Sequence, residues 1–441
     1  MPATKKPRTA TAGAVAAASV KRPVILDHDG GVDDLVALVL LAVGNHGVVD
    51  SPAPAPTVAP VELIGTVVLD ADCFASDTAP LCKRVLNVIR ALAPGRHALA
   101  GAVPVAVSTL QGTADPFPKE WRKDCINMAD LPCLNTPLAD AADPQAPKLV
   151  KGKKFLPPTD GVFADPRPGE EVMAELVLNS PQPVTLVVTG PLSNVAWCVR
   201  KHGKRFTDNV ASVVVMGGAL RVKGNVFNGM GGFVKGRDGS AEWNIFWDAP
   251  AAKAVVEAPG LQGGKVVLFA LDATNHVPIT SEMVHRFARC AAIGSAQPAL
   301  SAPGAASPAK KKHRSEPSSA AGAAGVTTAA STGATTTPSV LAQFVGASWA
   351  MCTHYEAVHG KGYGYYAWDV LTAAYVLDPA VCRRIEPAVR VAVDATPGGA
   401  SEGRTKVVEG RAAGASGVVQ APVDVDAERF YQLVLRACTA C

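Results

Sequence analysis

Residues 23–34 read Pro23-Val24-Ile25-Leu26-Asp27-His28-Asp29-Gly30-Gly31-Val32-Asp33-Asp34, and an apolar run follows from Leu35 to Val43. The run ending at Leu26 predicts a strand, and the helix-period residues from Leu35 predict a helix. Between them lies an acidic loop with two adjacent glycines, which permit a tight backbone turn. The same grammar recurs downstream. Val184 to Val188 leads into Thr189-Gly190-Pro191, after which Ser193 and Asn194 open a helix-like stretch; Val213 to Val215 and Val266 to Leu271 are further continuous apolar runs. Continuous apolar strands alternating with helices predict an α/β fold with a central, mostly parallel sheet covered on both faces.

Working outward, the chain has 441 residues, 48% of them apolar, enough for a large core in a single domain. Its net charge of +4, from 42 basic and 38 acidic side chains, is small, so nucleic acid is not an expected partner. The apolar run Val36 to Val43 is too short to span a bilayer, and no membrane association is expected. Ten cysteines show no repeated metal-ligand spacing; Cys438 and Cys441, the one CxxC, read as incidental thiols, and a reducing compartment, the cytoplasm, is expected.

Several segments read as unable to pack. Residues 1–21 carry Lys5, Lys6, Arg8 and Lys21 without an acid and are expected to be a disordered extension, organellar targeting being the alternative. Ser51 to Pro60, Asp140 to Pro168 and Ser295 to Pro338 are rich in Pro, Ala, Ser or Thr and read as insertions into one domain spanning 22–441, the low-complexity insertion covering about 295–338. Its basic run, Lys310 to Arg314, reads as solvated loop charge rather than a nuclear signal.

The acidic loop carries the chemistry. Four carboxylates within eight residues, where a buried strand meets a helix, either shift one another's pKa values or hold a cation, and all-oxygen ligation indicates calcium or magnesium. Two other readings stand beside this one. Asp33 and Asp34 also suit a helix start, and Asp27-x-Asp29 after a first strand also opens magnesium-dependent haloacid-dehalogenase-type phosphotransferases. In that scheme Asp33-Asp34 has no role.

Asp27-x-Asp29-x-x-x-Asp33-Asp34 resembles the signature of nucleoside hydrolases, and later segments resemble the inosine-adenosine-guanosine-preferring class of trypanosomatids. These are Asp70 to Phe74, Pro116 to Arg122, Val188 to Cys198, Met216 to Ala219, Gly224 to Phe227, Ala241 to Asn244, and Tyr365 to Asp369. The resemblance implies a Rossmann-like domain with its site at the carboxyl ends of the strands, working as a homodimer. It also implies calcium-dependent hydrolysis of the N-glycosidic bond of purine nucleosides, as in purine salvage. A nucleoside-binding protein with impaired catalysis is the rival.

Carried onto this chain, the resemblance assigns calcium to the carboxylates of Asp29, Asp34 and Asp369 and the carbonyl of Thr189, with Asp29 as general base on the attacking water. Asp33, Asn225, Glu242 and Asn244 would hold the sugar hydroxyls, with Asp72 beside them. Trp121 and Trp368 would sandwich the purine, and His354 would be peripheral. Gly31 departs from the pattern, standing where that class carries an Asn.

Overall fold

The twelve residues Val32–Val43 form a helix in which every residue is buried, so the acids of its first turn are carried by one of the most enclosed elements of the protein. The preceding strand β1 (Arg22–His28) is buried from Pro23 onward. Both belong to a computed structural model that describes residues 21–44, 58–92, 97–135, 161–228, 234–292, 339–359, 364–409 and 416–439, without the side chains of 288–292 and 355–359. Of the extension at 1–21 only Lys21 falls within these residues, and the insertion expected at 295–338 lies outside them.

The remaining strands are β2 (Val61–Val68), β3 (Val103–Val107), β4 (Val162–Asp165), β5 (Val184–Val188), β6 (Val210–Met216), β7 (Val226–Phe227), β8 (Asp238–Ala241), β9 (Val266–Phe269), β10 (Cys382–Val393), β11 (Thr405–Val407) and β12 (Gly417–Val425). Among the described residues ten of these twelve strands make one sheet in the order β11-β10-β12-β9-β6-β5-β1-β2-β3-β4, and β7 with β8 forms a separate ribbon. From β4 across to β12 the pairings are parallel; β10 runs antiparallel to both β11 and β12.

Alternation along the strands sends side chains into two cores. Val24, Leu26, Val187, Val214, Val267 and Phe269 join the core beneath Val32–Val43. Ile25, Leu186, Val188, Val213, Val215 and Leu268 face the opposite core, which Gly169–Asn179, Ser193–His202 and Ala249–Glu257 cover. Continuous apolar strands need exactly such cover on both sides. The first core also contains the helices Ser281–Ala292 and Val340–His359, packed on each other through Phe287 and Trp349, whose ring centroids lie 4.9 Å apart.

The strand order reverses beside β1. From there β2, β3 and β4 extend to one side, while β5, β6 and β9 extend to the other. Such a switch point opens a crevice at the carboxyl ends of the two central strands. Asp27 to Asp29 and Thr189 lie there, at the ends of β1 and β5.

One expectation needs correction. The stretch Asp140 to Pro168 was expected not to pack, yet Val162–Asp165 is an edge strand parallel to β3, because a parallel neighbour needs only a few apolar residues to pair. Among the described residues, the chain after Pro338 supplies the helices Val340–His359, Trp368–Leu377 and Ala427–Thr439 and the strands β10, β11 and β12 at the sheet's other edge. Among the described residues no helix is long and apolar enough to cross a membrane.

Candidate active site

The carboxylate loop is shaped by its two glycines. Gly30 has φ +91°, a left-handed conformation that turns the chain out of β1, and Gly31 N–H donates to Asp34 Oδ2 at 2.7 Å. A Cβ on Gly31 would lie 2.4 Å from Asp72 Oδ2. Asp72 thus fills the space from which an asparagine would grow, which gives the departure at position 31 a steric reason. Asp29, Asp33 and Asp34 are all nearly buried, at 3%, 4% and 1% exposure.

Strand β5 delivers Thr189, whose amide donates to the carbonyl of Asp27 at 2.8 Å and whose hydroxyl donates to Asp34 Oδ1. The Thr189 carbonyl is met by Asn244, which donates from Nδ2 to it at 3.0 Å and to the Met216 carbonyl at 3.2 Å. Glu242 caps the short helix Trp243–Trp247, accepting from the amides of Asn244 and Ile245 at 3.1 and 3.3 Å and from Gly218 N–H at 2.9 Å. Asn225 sits next to this element, its N–H bonded to the Ala241 carbonyl at 2.9 Å and its side-chain oxygen buried without a hydrogen-bond partner among the described residues.

The far end of the chain closes the cluster. Asp369 opens the helix Trp368–Leu377 and donates its amide to Asp33 Oδ2 at 3.3 Å, while Tyr365 donates its hydroxyl to Asp33 Oδ1 at 3.2 Å. The structure thus places Asp29, Asp33, Asp34, Asp72, Thr189, Asn244 and Asp369 beside one another.

The two tryptophans occupy separate aromatic groups. Trp121 leans on Phe117 at 5.6 Å, and Phe117 packs on Trp243 and Trp247 at 4.6 and 4.9 Å. Trp368 lies against Tyr365 and Tyr366 at 4.8 and 5.6 Å and donates Nε1–H to Asn275 Oδ1 at 3.1 Å. His354 is exposed on Val340–His359.

Burial, followed by the charges of Asp34 and Asp72, raises the Asp29 carboxyl well above the ordinary range. Asp369 rises through burial and then through Asp33, Asp34 and Asp29. Burial and Asp33 push Asp34 up to about 7, and burial pushes Glu242 up to about 7 against the pull of the amides that bind it. Asp27, buried below them, is pushed up to about 8 even though Asn194 Nδ2 donates to it at 2.7 Å. Such mutual repulsion is what a bound cation relieves.

Whether these residues fit a divalent ion is a matter of donors. The carboxylates are gathered but not closed on one point: among the described residues no three His, Cys, Asp or Glu side chains stand ready to hold a metal. The donor set is nevertheless all oxygen, as a hard cation requires. Asp29 Oδ2 is also buried without a hydrogen-bond partner among the described residues. On donor chemistry the residues fit a hard divalent cation.

Three supporting residues had no role in the sequence reading. Arg122, 4% exposed, pairs with Asp70 at 2.7 Å, donates to the Cys73 carbonyl at 2.8 Å and lies 4.1 Å over the Phe74 ring, tying the Trp121 segment to the loop that bears Asp72. Its place beside Trp121 was the only signal. Asn194 and Tyr365 each support an acid far away in sequence, and spacing carries no trace of such contacts.

Arg84 fastens the same segment from below, donating to the carbonyls of Ala129 and Leu134 and to the side chain of Asn135. Replacing Arg84 by methionine keeps the apolar stem but strands these acceptors, so a loss of roughly 2–4 kcal/mol is expected. Thermal unfolding measures it, and limited proteolysis should cut first within residues 117–135. Unchanged stability would remove Arg84 from this role.

A family model described as inosine-uridine preferring nucleoside hydrolase matches residues 24–432. The pyrimidine-specific ribonucleoside hydrolase RihA of Salmonella newport (strain SL254) is 36% identical over 117 residues, covering 26% of this chain and 32% of that protein. The chain thus spans about a third of the length of the first curated relatives it matches. The protein of the same description from Shewanella sp. (strain MR-7) is 28% identical over 269 residues, 60% of this chain and 64% of that one. Among solved structures, the inosine-uridine preferring nucleoside hydrolase from Bacillus anthracis superposes with a TM-score of 0.63 at 24% identity, over 95% of this chain and 100% of that one. The purine-preferring ribonucleoside hydrolase from Gardnerella vaginalis gives 0.56 at 18%, over 95% and 99%. At these identities the likeness establishes the fold.

Proposed function

Because the chain belongs to the inosine-uridine preferring nucleoside hydrolase family, we propose that it hydrolyses the N-glycosidic bond of ribonucleosides, prefers purines, uses calcium and works as a homodimer. What supports the reaction most is one observation: Asp369, from near the end of the chain, is hydrogen-bonded to Asp33 inside the carboxylate cluster that begins at Asp29. The phosphotransferase alternative gives way to the family match.

Asp29, Asp34, Asp369 and the Thr189 carbonyl would hold the ion. When bound, calcium supplies positive charge that acidifies and orients a water. Asp29, with a free carboxylate oxygen, accepts the proton of the attacking water. Asp33, Asn225, Glu242 and Asn244 bind the ribose hydroxyls, Asp72 lies beside them, and together the acids favour positive charge developing on the sugar ring. Trp121 and Trp368 stack on the base; each indole face favours a protonated purine by ~0.5–2 kcal/mol. The departing base then takes its proton from solvent, without a side-chain acid. His354 stays peripheral.

The relatives include pyrimidine-specific and purine-preferring proteins by name, so base choice is the part to measure. A reducing-sugar assay on inosine, guanosine, adenosine, uridine and cytidine with calcium is expected to show purine turnover about tenfold or more above uridine, in line with the worth of two stacking faces. Faster uridine would overturn the purine preference and leave the reaction standing. No sugar from any substrate, with binding retained, would favour the catalytically impaired alternative.

A further inference from the structure

The wall that carries Glu242 is clamped by a turn from the antiparallel edge of the sheet. Between β10 and β11 the chain folds back on itself, with Gly403 N–H donating to the Asp394 carbonyl at 2.8 Å and Asp394 N–H to the Arg404 carbonyl at 2.9 Å. Arg404 pairs as an antiparallel bridge with Ala241, the residue before Glu242. Asp238 N–H donates to the Ala400 carbonyl at 3.0 Å, and Arg237 forms an ion pair with the nearly buried Glu402 at 3.0 Å.

Thr405, 2% exposed, completes the clamp. Its Oγ1 accepts from Ala219 N–H at 2.8 Å, and its hydroxyl donates to the Ala219 carbonyl at 3.1 Å. The neighbouring Gly218 has φ +83°, and a Cβ there would come within 2.8 Å of Thr405 Oγ1, so this turn and Thr405 are fitted to each other. Gly218 N–H is the group that donates to Glu242 Oε2. The route from Thr405 to the carboxylate is therefore two short steps through one turn.

We propose that Thr405 is a positioning residue that aims the carboxylate of Glu242 at the sugar by holding the Gly218–Ala219 turn. The proposal rests on the reading of Glu242 as a sugar-binding group.

The test uses the full chain with Thr405→Val, which keeps shape and removes the hydroxyl, Thr405→Ser, which keeps the hydroxyl, and each combined with Glu242→Gln. Thr405→Val is expected to lower kcat/KM by about 10- to 50-fold, the worth of the Gly218 N–H bond to the Glu242 carboxylate that a loosened turn would give up, and Thr405→Ser to stay within about threefold of the parent. Because Thr405 acts through Glu242, the valine penalty should shrink to about threefold or less beside Glu242→Gln. An equal penalty in both backgrounds, or none in either, would overturn the proposal. Amide exchange at Gly218 and Ala219 is expected to quicken about tenfold or more in the valine variant and not in the serine variant. Should the parent release no sugar from any nucleoside, the functional reading fails separately, and the exchange result alone decides whether Thr405 holds the turn. If the valine variant does not fold, Thr405→Ala takes its place.

Discussion

Replacing Asp29 by alanine should abolish nearly all turnover while leaving the protein folded. Removing the group that takes the water's proton is expected to lower kcat by roughly 10²–10⁴-fold. Stability should move the other way in chelator, because Asp29 is buried among Asp34, Asp72 and Asp33 and its charge is opposed by theirs. The melting temperature in chelator is therefore expected to be no lower than that of the parent. Reducing-sugar release and thermal unfolding on the same samples check both halves. Retained turnover would remove Asp29 as the base, and a large drop in melting temperature would show that it holds the fold instead.

Calcium should be required for turnover and should reverse the pH dependence of stability. Without an ion, the folded protein holds protons on Asp34 and Asp27 up to about 7 and about 8, whereas the unfolded chain releases them near the ordinary carboxylate value. Over that window the folded state binds more protons, so stability in chelator must fall as pH rises from about 5 to 8. Saturating calcium, at a hundred times its dissociation constant, adds about 2.7 kcal/mol and should flatten or invert the slope. Melting curves at pH 5, 6, 7 and 8, with calcium and with chelator, measure it. Equal slopes under both conditions, with turnover surviving chelation, would exclude an ion at these carboxylates.

How far the sequence could be read depended on how locally each feature is specified. The acids from Asp27 to Asp34 share one strand-loop-helix unit, so their convergence with Thr189 on the next central strand follows from the alternating grammar of an α/β chain. Asp369 had no such neighbourhood and was placed only through its motif. Val162–Asp165 escaped notice because a short edge strand draws its partners from β3 and not from its own periodicity. The antiparallel strands β10 to β12 were hidden for a similar reason: Cys382–Val393 alternates polar and apolar residues irregularly, with several register shifts. Arg122, Asn194 and Thr405 act on residues tens or hundreds of positions away, and only three-dimensional packing shows it.

Helices Ser281–Ala292 and Val340–His359 lean on each other through Phe287 and Trp349. Two arms already held side by side make the length of the chain joining them nearly silent in thermodynamics, since doubling such a connection adds only about 0.6 kcal/mol of closure entropy. A change in the length of that connection is therefore expected to leave the seating of these two helices on the core, and the melting temperature, little altered.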